Sequence, residues 1–368
     1  MKTVRLFLPL LALLFVASPL WANDNEAANE KFDAGSVIIG HVTDAHSWHM
    51  FDYVNADGEE CAVAIPLPVI LINNGHLDIF LSSKFHHGHS DYKGYRLVGG
   101  GITKEEVVCV DASGNIMTDA SGKALKPIDL SITKTSAAIM IATILLIVLV
   151  FVARNGYKKR GVAAPHGIQS LIEMLVVFVR DSIVKPMIGE KHYEKYLPYL
   201  LTLFFFIFLC NILGLIPFFP AGANVTGNIA VTATLAIITF FITNISGNKH
   251  YWMDIFNTPG VPAWLKVFPL MPVVELVGVF TKPIVLMVRL FANMTAGHIV
   301  ILGFVVIIFI LSNLFGAAVG GAVSVVSVIF SVFISLLECL VAYIQAFVFT
   351  MLTSLYIGMA VSEPVHEH

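Results

Sequence analysis

The chain has 368 residues, of which 57% are hydrophobic and only 13% are charged, and its mean hydropathy is +0.81. Soluble domains carry about 25% charged residues, so this composition excludes an ordinary soluble protein and indicates a membrane protein. The formal net charge of -3 gives no reason to expect a nucleic-acid partner. No motif in the sequence predicts a cofactor, a metal ion or a catalytic centre.

The first residues have the pattern of a signal peptide. Lys2 and Arg5 precede an apolar stretch from Leu6 to Val16, which is too short to span a bilayer and is typical of a signal-peptide core. We therefore expect residues 1–22 to be a signal peptide that is cleaved at its end. Leu20 is larger than the residue preferred three positions before a cleavage site, so an uncleaved membrane anchor remains the alternative.

Residues 23–135 differ in character from the rest of the chain, because they carry most of the acidic residues and several turn signals. Asn73-Asn74-Gly75 is one such turn signal, and the runs Ala62 to Ile72 and Glu106 to Val110 are typical of short strands. Since this segment follows the predicted signal peptide, we expect a small exported domain in the periplasm, largely β or irregular.

Two cysteines lie outside the apolar part of the chain, Cys61 and Cys109. An oxidising periplasm permits cysteines to form disulfides. The sequence does not fix the distance between the two, so a Cys61–Cys109 bridge is one possible pairing rather than a deduced one.

The same segment is rich in histidine. A metal site is one interpretation, but the spacing matches no defined set of metal ligands, and solvated loops are the favoured interpretation. The histidines are His41, His46, His49, His76, His86, His87 and His89.

The first apolar run that approaches the width of a bilayer is Ala137 to Ala153. A basic cluster within residues 154–160 follows it at once, and clusters of Lys and Arg mark the cytoplasmic side of a membrane. The run therefore predicts a span whose C-terminal end is cytoplasmic, which agrees with an exported N-terminal segment.

Three further segments follow this span. His166 to Lys185 has apolar residues at helical spacing among charged ones, which predicts an amphipathic helix at the cytoplasmic interface. Leu197 to Phe219 and Ile229 to Ser246 predict two more spans. Lys249 and Lys266 return charge to the next loop, so we expect that loop on the cytoplasmic side.

The last two apolar segments are too long for perpendicular spans. Val267 to Gly316 contains 50 residues, about 75 Å as one helix, against a hydrocarbon core of about 30 Å. Ala322 to Val361 contains 40 residues, about 60 Å as one helix. Either each segment is broken into two crossings, or the two form a long oblique hairpin with a turn near Gly316 to Gly321.

Arg289 lies in the middle of the apolar run KPIVLMVRLFANMTAGHIVILGF. A guanidinium stays protonated in proteins, and an arginine near the bilayer centre costs roughly 3 kcal/mol on insertion scales and about 10 kcal/mol or more in simulations. Only a water-filled cavity or an opposing carboxylate would offset that cost, so we interpret Arg289 as functional. Snorkelling to a headgroup is disfavoured, because the sequence stays largely apolar for more than 20 positions after it.

Other polar groups share a helical face with Arg289. Glu275, Lys282 and Arg289 recur every seven residues, and Asn293 lies one turn beyond on nearly the same stripe. A purely structural membrane protein has no need of three charges on one stripe, so this pattern indicates a functional path.

A second polar group lies elsewhere on the same segments. His298 points to roughly the opposite side of its helix, and Glu338 and Gln345 are seven residues apart on the final segment. A carboxylate and an imidazole, whose unperturbed pKa is near 6.5, are typical components of a proton relay in a membrane. The alternatives are a mutually satisfied buried pair for His298 and Glu338, and hydrogen bonding between helices for Asn293 and Gln345.

Three stretches resemble the signature regions of one family: NILGLIPFFPAGANVTGNIAVTATLA, KPIVLMVRLFANMTAGH and YIQAFVFTMLTSLYIGMA. The family is subunit a of the F-type ATP synthase, the proton-channel stator that faces the rotating c-ring. The resemblance covers about Thr135 to Ser362. It implies that Arg289 is the essential arginine opposite the c-ring carboxylate, with Asn293 and Gln345 beside it. It also implies that the last two segments are long, strongly tilted helices.

The chain departs from the familiar bacterial pattern of this family at two positions. That pattern has Glu where this chain has His298, and His where this chain has Glu338. The exchanged pair is similar to the mitochondrial arrangement, so we expect the relay to be preserved. The exported segment lies outside the common core of the family, and the resemblance assigns it no function.

Together these observations predict an all-α polytopic membrane protein with about five membrane-embedded helices, including a long tilted C-terminal hairpin. One interfacial amphipathic helix and a small β or irregular periplasmic domain complete the prediction, and residues 136–368 would form the membrane domain. The resemblance implies two half-channels against the c-ring. His298 and Glu338 would line the periplasmic one, and Glu275 is the best candidate in the cytoplasmic one.

The resemblance also implies partners and a location. We expect the c-ring, subunit b of the peripheral stalk and membrane lipid as partners, in the bacterial inner membrane with a cytoplasmic C-terminus. The chain would be a non-catalytic subunit. A proton-coupled secondary transporter is the alternative, disfavoured because no internal repeat is visible.

Overall fold

The computed structural model describes residues 34–362, apart from gaps at 55–59, 89, 101–102, 112, 120, 161–165, 217–220 and 257–269. The predicted signal peptide, residues 1–22, lies outside the described residues.

The N-terminal part of the described chain consists of one helix and short strands. Its elements are α1 (Ala34–Val42), β1 (Ser47–Val54), β2 (Glu60–Pro66), β3 (Pro68–Asn73), β4 (His76–Leu81), a 3-10 helix (Ser82–Gly88), β5 (Tyr95–Gly100), β6 (Thr103–Cys109) and β7 (Ile128–Asp129). The strands form three antiparallel sheets, β1-β2, β4-β3-β7 and β5-β6. The expected small β region is therefore confirmed, and the Asn73-Asn74-Gly75 turn joins β3 to β4 as predicted.

Side chains that alternate along β3 build the core of this region. Val69 and Leu71 are fully buried, and they pack on Phe85 of the 3-10 helix and on Tyr95 and other residues of β5 and β6. Successive side chains of a strand point to opposite faces, so Pro68, Ile70 and Ile72 lie on the other face of the same sheet.

The possible Cys61–Cys109 disulfide is not present in the structure. Cys109 is a free thiol, buried at the end of β6, where its Sγ accepts a hydrogen bond from Asn73 Nδ2 at 3.6 Å. Cys61 lies in β2, which belongs to a different sheet.

His46 is a buried ion-pair partner, so the solvated-loop interpretation is wrong for this histidine. Its side chain is only 4% exposed, its Nε2 lies 2.9 Å from Asp129 Oδ2, and its Nδ1 lies 3.5 Å from Glu105 Oε2. Burial alone would lower the pKa of His46, but the hydrogen bonds and charges of Asp129 and Glu105 outweigh it and raise the pKa to about 9. Burial also opposes ionisation of Asp129, yet its hydrogen bond to His46 lowers the pKa of that carboxyl to about 2.

This histidine lies next to the start of the first long helix. The Lys134 N–H donates to the Ala45 carbonyl at 2.8 Å, and the Thr135 N–H donates to Asp44 Oδ1 at 2.9 Å. Trp48 of β1 is buried against Ala138 of that helix. The β region is therefore fixed directly to the helix.

The rest of the described chain is helical. Its elements are α2 (Lys134–Arg160), α3 (Ile168–Phe178), a π-helix (Val179–Val184), α4 (Lys185–Ile188), α5 (Tyr193–Leu215), α6 (Ile229–Ser246), α7 (Lys249–Phe256), α8 (Leu270–Phe315) and α9 (Ala317–Val361). Five of these helices, α2, α5, α6, α8 and α9, are long and apolar enough to cross a membrane. The predicted polytopic helical fold is confirmed.

The predicted amphipathic helix is divided into three pieces. In α3, Ile168, Leu171 and Met174 are exposed apolar side chains, as expected for a peripheral helix. The π-helix that follows instead buries Val179 and Ile183 in the main helical core. The helical periodicity thus predicted the exposed apolar face of α3, whereas tertiary packing buries the π-helix.

The two longest helices form one antiparallel hairpin, so neither is broken into two crossings. α8 has 46 residues and α9 has 45, about 69 and 68 Å, and a single residue, Gly316, joins them. Its φ of 89° is favourable only for glycine. Contacts join the helices along their length: Ser312 with Gly320, Phe304 with Phe330, His298 with Glu338, and Lys282 with Tyr356.

The helices alternate in direction between two ends of the bundle. We call the end where α2 begins the Lys134 end, and the end where α2 finishes the Arg160 end. α5 returns to the Lys134 end, where its Cys210 packs near Ala138, and α6 runs back to the Arg160 end. There the Asn248 N–H donates to the Ala360 carbonyl of α9 at 3.0 Å, so the Gly316 turn lies at the Lys134 end.

Candidate functional site

Arg289 lies on the side of α8 that the described residues leave uncovered. Leu286, Leu290 and Met294 line the other side of this helix and are fully buried in the main helical core. Arg289 and Asn293 are both exposed at the chain surface. Within the described residues, no carboxylate forms an ion pair with Arg289. The guanidinium is therefore open to a partner outside this chain.

Gln345 does not lie on the same open surface. It is buried on α9, and Ala346 beside it belongs to the same core as Leu290. Within the described residues, no hydrogen bond joins Gln345 to Arg289 or Asn293. The structure thus brings Arg289 and Asn293 to one surface and places Gln345 behind it.

His298 of α8 and Glu338 of α9 meet inside the hairpin. Arg289 and Asn293 lie on another side of α8, at the chain surface. His298 Nδ1 lies 2.8 Å from Glu338 Oε1, and both side chains are largely buried. Nδ1 also lies 2.9 Å from the carbonyl of Met294, and Nε2 lies 3.2 Å from the carbonyl of Gly214. Each ring nitrogen thus faces a carbonyl oxygen that can only accept a hydrogen bond.

The Glu338 carboxylate is close to His298 but poorly satisfied. Despite the short distance, Nδ1 is directed at Met294, and neither buried carboxylate oxygen receives a well-aligned hydrogen bond within the described residues. A buried carboxylate without donors is costly unless it binds a proton or a water molecule. The geometry is therefore suited to holding and releasing a proton.

Gly297 makes room for this carboxylate. A Cβ at position 297 would lie 2.5 Å from Glu338 Oε1 and 2.9 Å from its Cδ, closer than side chains normally approach. Any other residue would have to displace Glu338. The sequence motif contained this glycine, but only the structure explains it.

Two buried polar residues near this pair had not been singled out from the sequence. Asn211 of α5 donates to the Ala342 carbonyl at 3.2 Å, one turn of α9 beyond Glu338, and accepts from Thr226 at 2.6 Å. Both Asn211 and Thr226 are fully buried. An asparagine within an apolar span was the signal that could have revealed them.

The pair and these polar residues lie toward the Lys134 end of the bundle. Gly214 is next to the last residue of α5, and Thr295, one turn before His298, lies 3.5 Å from the Gly227 carbonyl, just before α6 begins. The His298–Glu338 pair thus lies near the connection between α5 and α6, at the Lys134 end.

Lys282 and Glu275 lie toward the Arg160 end. The Lys282 ammonium is 5.5 Å from the centroid of the Tyr356 ring and lines a small cleft between α6, α7 and the hairpin. The cleft encloses about 10 Å³, roughly the room for one water molecule. Glu275 is partly exposed, two turns closer to the start of α8. The other polar residues that line the cleft are Thr239, Thr243, Asn244 and Tyr251.

These features define a class of protein. A helical membrane protein with an open arginine, a buried carboxylate–imidazole pair toward one end and polar residues toward the other is built for ion transfer to a partner in the membrane.

Comparisons with known proteins identify the family. Residues 136–358 match the family described as ATP synthase A chain, and residues 37–130 match a domain of unknown function (DUF8433). Because the first match covers more than half of the chain, the chain belongs to the ATP synthase A chain family, the non-catalytic, proton-translocating membrane subunit of the F-type ATP synthase.

Several bacterial relatives carry the name ATP synthase subunit a. The chain is 42% identical to that of Pelodictyon phaeoclathratiforme over 287 residues, which cover 76% of this chain and 80% of the relative. It is 48% identical to "ATP synthase subunit a 2" of Chlorobium luteolum over 63% of this chain and 66% of the relative. It is 43% identical to the protein of Myxococcus xanthus over 65% of this chain and 76% of the relative. The comparisons give no support to the secondary-transporter alternative.

Proposed function

We propose that Arg289 faces the ion-binding carboxylate of the rotating c-ring. The observation that carries this proposal is the exposure of Arg289 on the uncovered side of α8, while the opposite side is buried. An unpaired guanidinium in the membrane needs an opposing carboxylate, and the c-ring, which the family implies as a partner, supplies one. Asn293, exposed one turn away, lies against the same surface of the ring.

A guanidinium in this position separates two proton paths. A positive charge within about 4 to 6 Å lowers a carboxylate pKa by roughly 1 to 3 units, so a c-ring carboxylate that reaches Arg289 gives up its proton. The proton then cannot pass directly from one side to the other. Each proton gains about 2.3 kcal/mol per 100 mV of membrane potential, and this bias turns the ring.

His298 and Glu338 form the relay of one half-channel. A neutral imidazole has only one N–H, so two facing carbonyls favour a doubly protonated His298, balanced by the Glu338 carboxylate. The 2.8 Å between Nδ1 and Oε1 is short enough for a proton to pass from His298 to Glu338 after a small rotation of the ring away from the Met294 carbonyl. This transfer would neutralise both groups and ready Glu338 to pass a proton on. Asn211 and Thr226 provide polar surface along the approach from the Lys134 end.

Glu275 and Lys282 line the other half-channel. Both lie toward the Arg160 end, and several polar side chains line the cleft beside Lys282, which has room for about one water molecule. Glu275 is the candidate carboxylate that accepts a proton released from the ring. Gln345, which is buried on α9, is the further polar residue that the family resemblance assigns to this path.

The orientation follows from the distribution of charge. The basic cluster at residues 154–160 favours a cytoplasmic Arg160 end, which makes the C-terminus cytoplasmic and the Lys134 end periplasmic. The domain of residues 23–135 then lies in the periplasm, where a signal peptide at residues 1–22 would deliver it, and residues 136–368 form the membrane domain. The c-ring, subunit b of the peripheral stalk and lipid surround that membrane domain.

Substitution of Arg289 tests the proposal. In inverted membrane vesicles, Arg289→Ala should abolish ATP-driven proton pumping and raise passive proton leakage, because the barrier between the paths is lost. Arg289→Lys should also fail to couple, since a desolvated lysine can lose its proton. Lys158→Ala, a change at an exposed basic residue, is the matched control and should pump normally. Normal pumping by Arg289→Ala would sink the proposal.

A further inference from the structure

The sheet β4-β3-β7 has an outward face made wholly of apolar side chains. The antiparallel register pairs Ile70 with Ile79 and Ile72 with both Leu77 and Ile128, so these residues lie on one face. We call this surface the outer sheet face. Its members are Pro68, Ile70, Ile72, Leu77, Ile79, Leu81, Ile128, Leu130 and Ile132.

This face is exposed although the region is not a membrane span. Leu77, Ile79 and Ile128 are 59%, 60% and 64% exposed, while Val69 and Leu71 on the opposite face are fully buried. Antiparallel sheets in water usually pair a buried apolar face with a polar one. A sheet with two apolar faces therefore needs a second apolar environment, and exposed patches of this kind mark interaction sites.

The chain path fixes where this face lies. The Leu130 N–H donates to the Ile70 carbonyl and the Ile132 N–H to the Pro68 carbonyl, so the pairing continues almost to Lys134, where α2 begins. Lys134 lies four positions after Leu130, which is at most about 14 Å of extended chain. The headgroup layer of one leaflet is about 5 to 8 Å thick. The end of the outer sheet face next to α2 is thus close to the membrane surface.

The lipid-facing surface of α2 begins close by. Met140 and Ile144 of this helix are more than half exposed and belong to a span that must contact acyl chains. The apolar residues of β7 come shortly before this span in the chain. Only the polar segment Thr133 to Ser136 lies between Ile132 and the apolar part of α2. The sheet face and the span therefore continue one into the other along the chain.

We propose that the outer sheet face lies in the bilayer interface at the Lys134 end, with its apolar side chains among the upper acyl chains. The N-terminal domain is then a membrane-contacting module rather than a freely hydrated one. This contact holds the domain beside the loops that lead to the His298–Glu338 pair. The occupant of the face is lipid, and neither residues 1–33 nor a second protein is needed to cover it.

Fluorescence quenching by labelled lipid tests this directly. The experiment uses the assembled ATP synthase complex, in which the four native cysteines of this chain are replaced. A bimane label is attached at Ile79→Cys, and Lys123→Cys is the matched exposed control in the same domain. The complex is reconstituted in vesicles of phosphatidylcholine and phosphatidylglycerol that carry a nitroxide on the upper acyl chain. Because interfacial elements are buried about 5 to 10 Å into this boundary, the label at position 79 should be quenched about twofold or more beyond the label at position 123.

Aqueous iodide separates the outcomes. The proposal expects iodide to quench the label at position 123 and to spare the one at position 79. Quenching of both labels by iodide and of neither by the lipid nitroxide would show a hydrated face and overturn the proposal. Protection of position 79 from both quenchers would show a protein occupant, a segment of this chain or another subunit, and would overturn it equally. A label at Leu77→Cys repeats the measurement in case Ile79→Cys does not assemble.

Discussion

Replacing Gly297 with alanine tests whether the close approach of Glu338 to α8 matters for proton transfer. The new Cβ would lie 2.5 Å from Glu338 Oε1, whereas ordinary contacts between such atoms begin near about 3.4 Å. The carboxylate would have to move by about 1 Å, and a displacement of that size at a reacting group can cost about a hundredfold in rate.

The effect on stability should be small by comparison. Overpacking costs typically about 1 to 3 kcal/mol, while alanine gains up to about 1 kcal/mol over glycine within a helix. The complex should therefore still assemble. We expect ATP-driven proton pumping in inverted vesicles, followed by a pH-sensitive dye, to fall tenfold to about a hundredfold at equal amounts of assembled enzyme.

The chain offers a matched control on the same helix. A Cβ at Gly303 would meet no atom within 4 Å, so Gly303→Ala should pump normally. In the double variant Gly297→Ala with Glu338→Asp, the shorter carboxylate side chain leaves room for the new Cβ, so part of the lost pumping rate should be recovered. If Gly297→Ala pumps as well as Gly303→Ala, the carboxylate position has no role in transfer and the reasoning is refuted.

Three other predictions concern the relay, the buried histidine and the orientation. The exchange His298→Glu with Glu338→His should recover more proton flux than either single swap, and additive losses in a double-mutant cycle would mean that the two residues act separately. Because the folded pKa of His46 is raised to about 9, its stabilising contribution is complete below about pH 6.5 and is lost as pH rises through about 9. Amide hydrogen exchange of β3 and β7, corrected for its intrinsic pH dependence, should accordingly become faster over this pH range in the unaltered chain but not in His46→Gln. An equal pH dependence of exchange in the two proteins would contradict this prediction. A membrane-impermeant maleimide should label Lys123→Cys but not Lys158→Cys in spheroplasts, and the reverse pattern would invert the proposed orientation.

The sequence by itself determined the class of fold and much of the candidate site. The length and low charge of the apolar segments predicted the spans. A bilayer sets a minimum length and a desolvation cost for each segment, and both depend on that segment alone rather than on its tertiary contacts. The isolation of Arg289 was visible for the same reason. The motif also contained Gly297 and His298, and Glu338 was visible as a lone carboxylate in the final apolar segment, although periodicity alone could not bring residues on two helices together.

Only the tertiary structure decided how these parts meet. The single-residue turn at Gly316 sets the hairpin register, and that register brings His298 to Glu338 and leaves Arg289 uncovered. Folding placed Cys61 and Cys109 in different sheets and buried His46 between two carboxylates, which spacing along the chain did not indicate. Contacts between distant segments depend on register and packing, and these are properties of the folded chain rather than of any local run of residues.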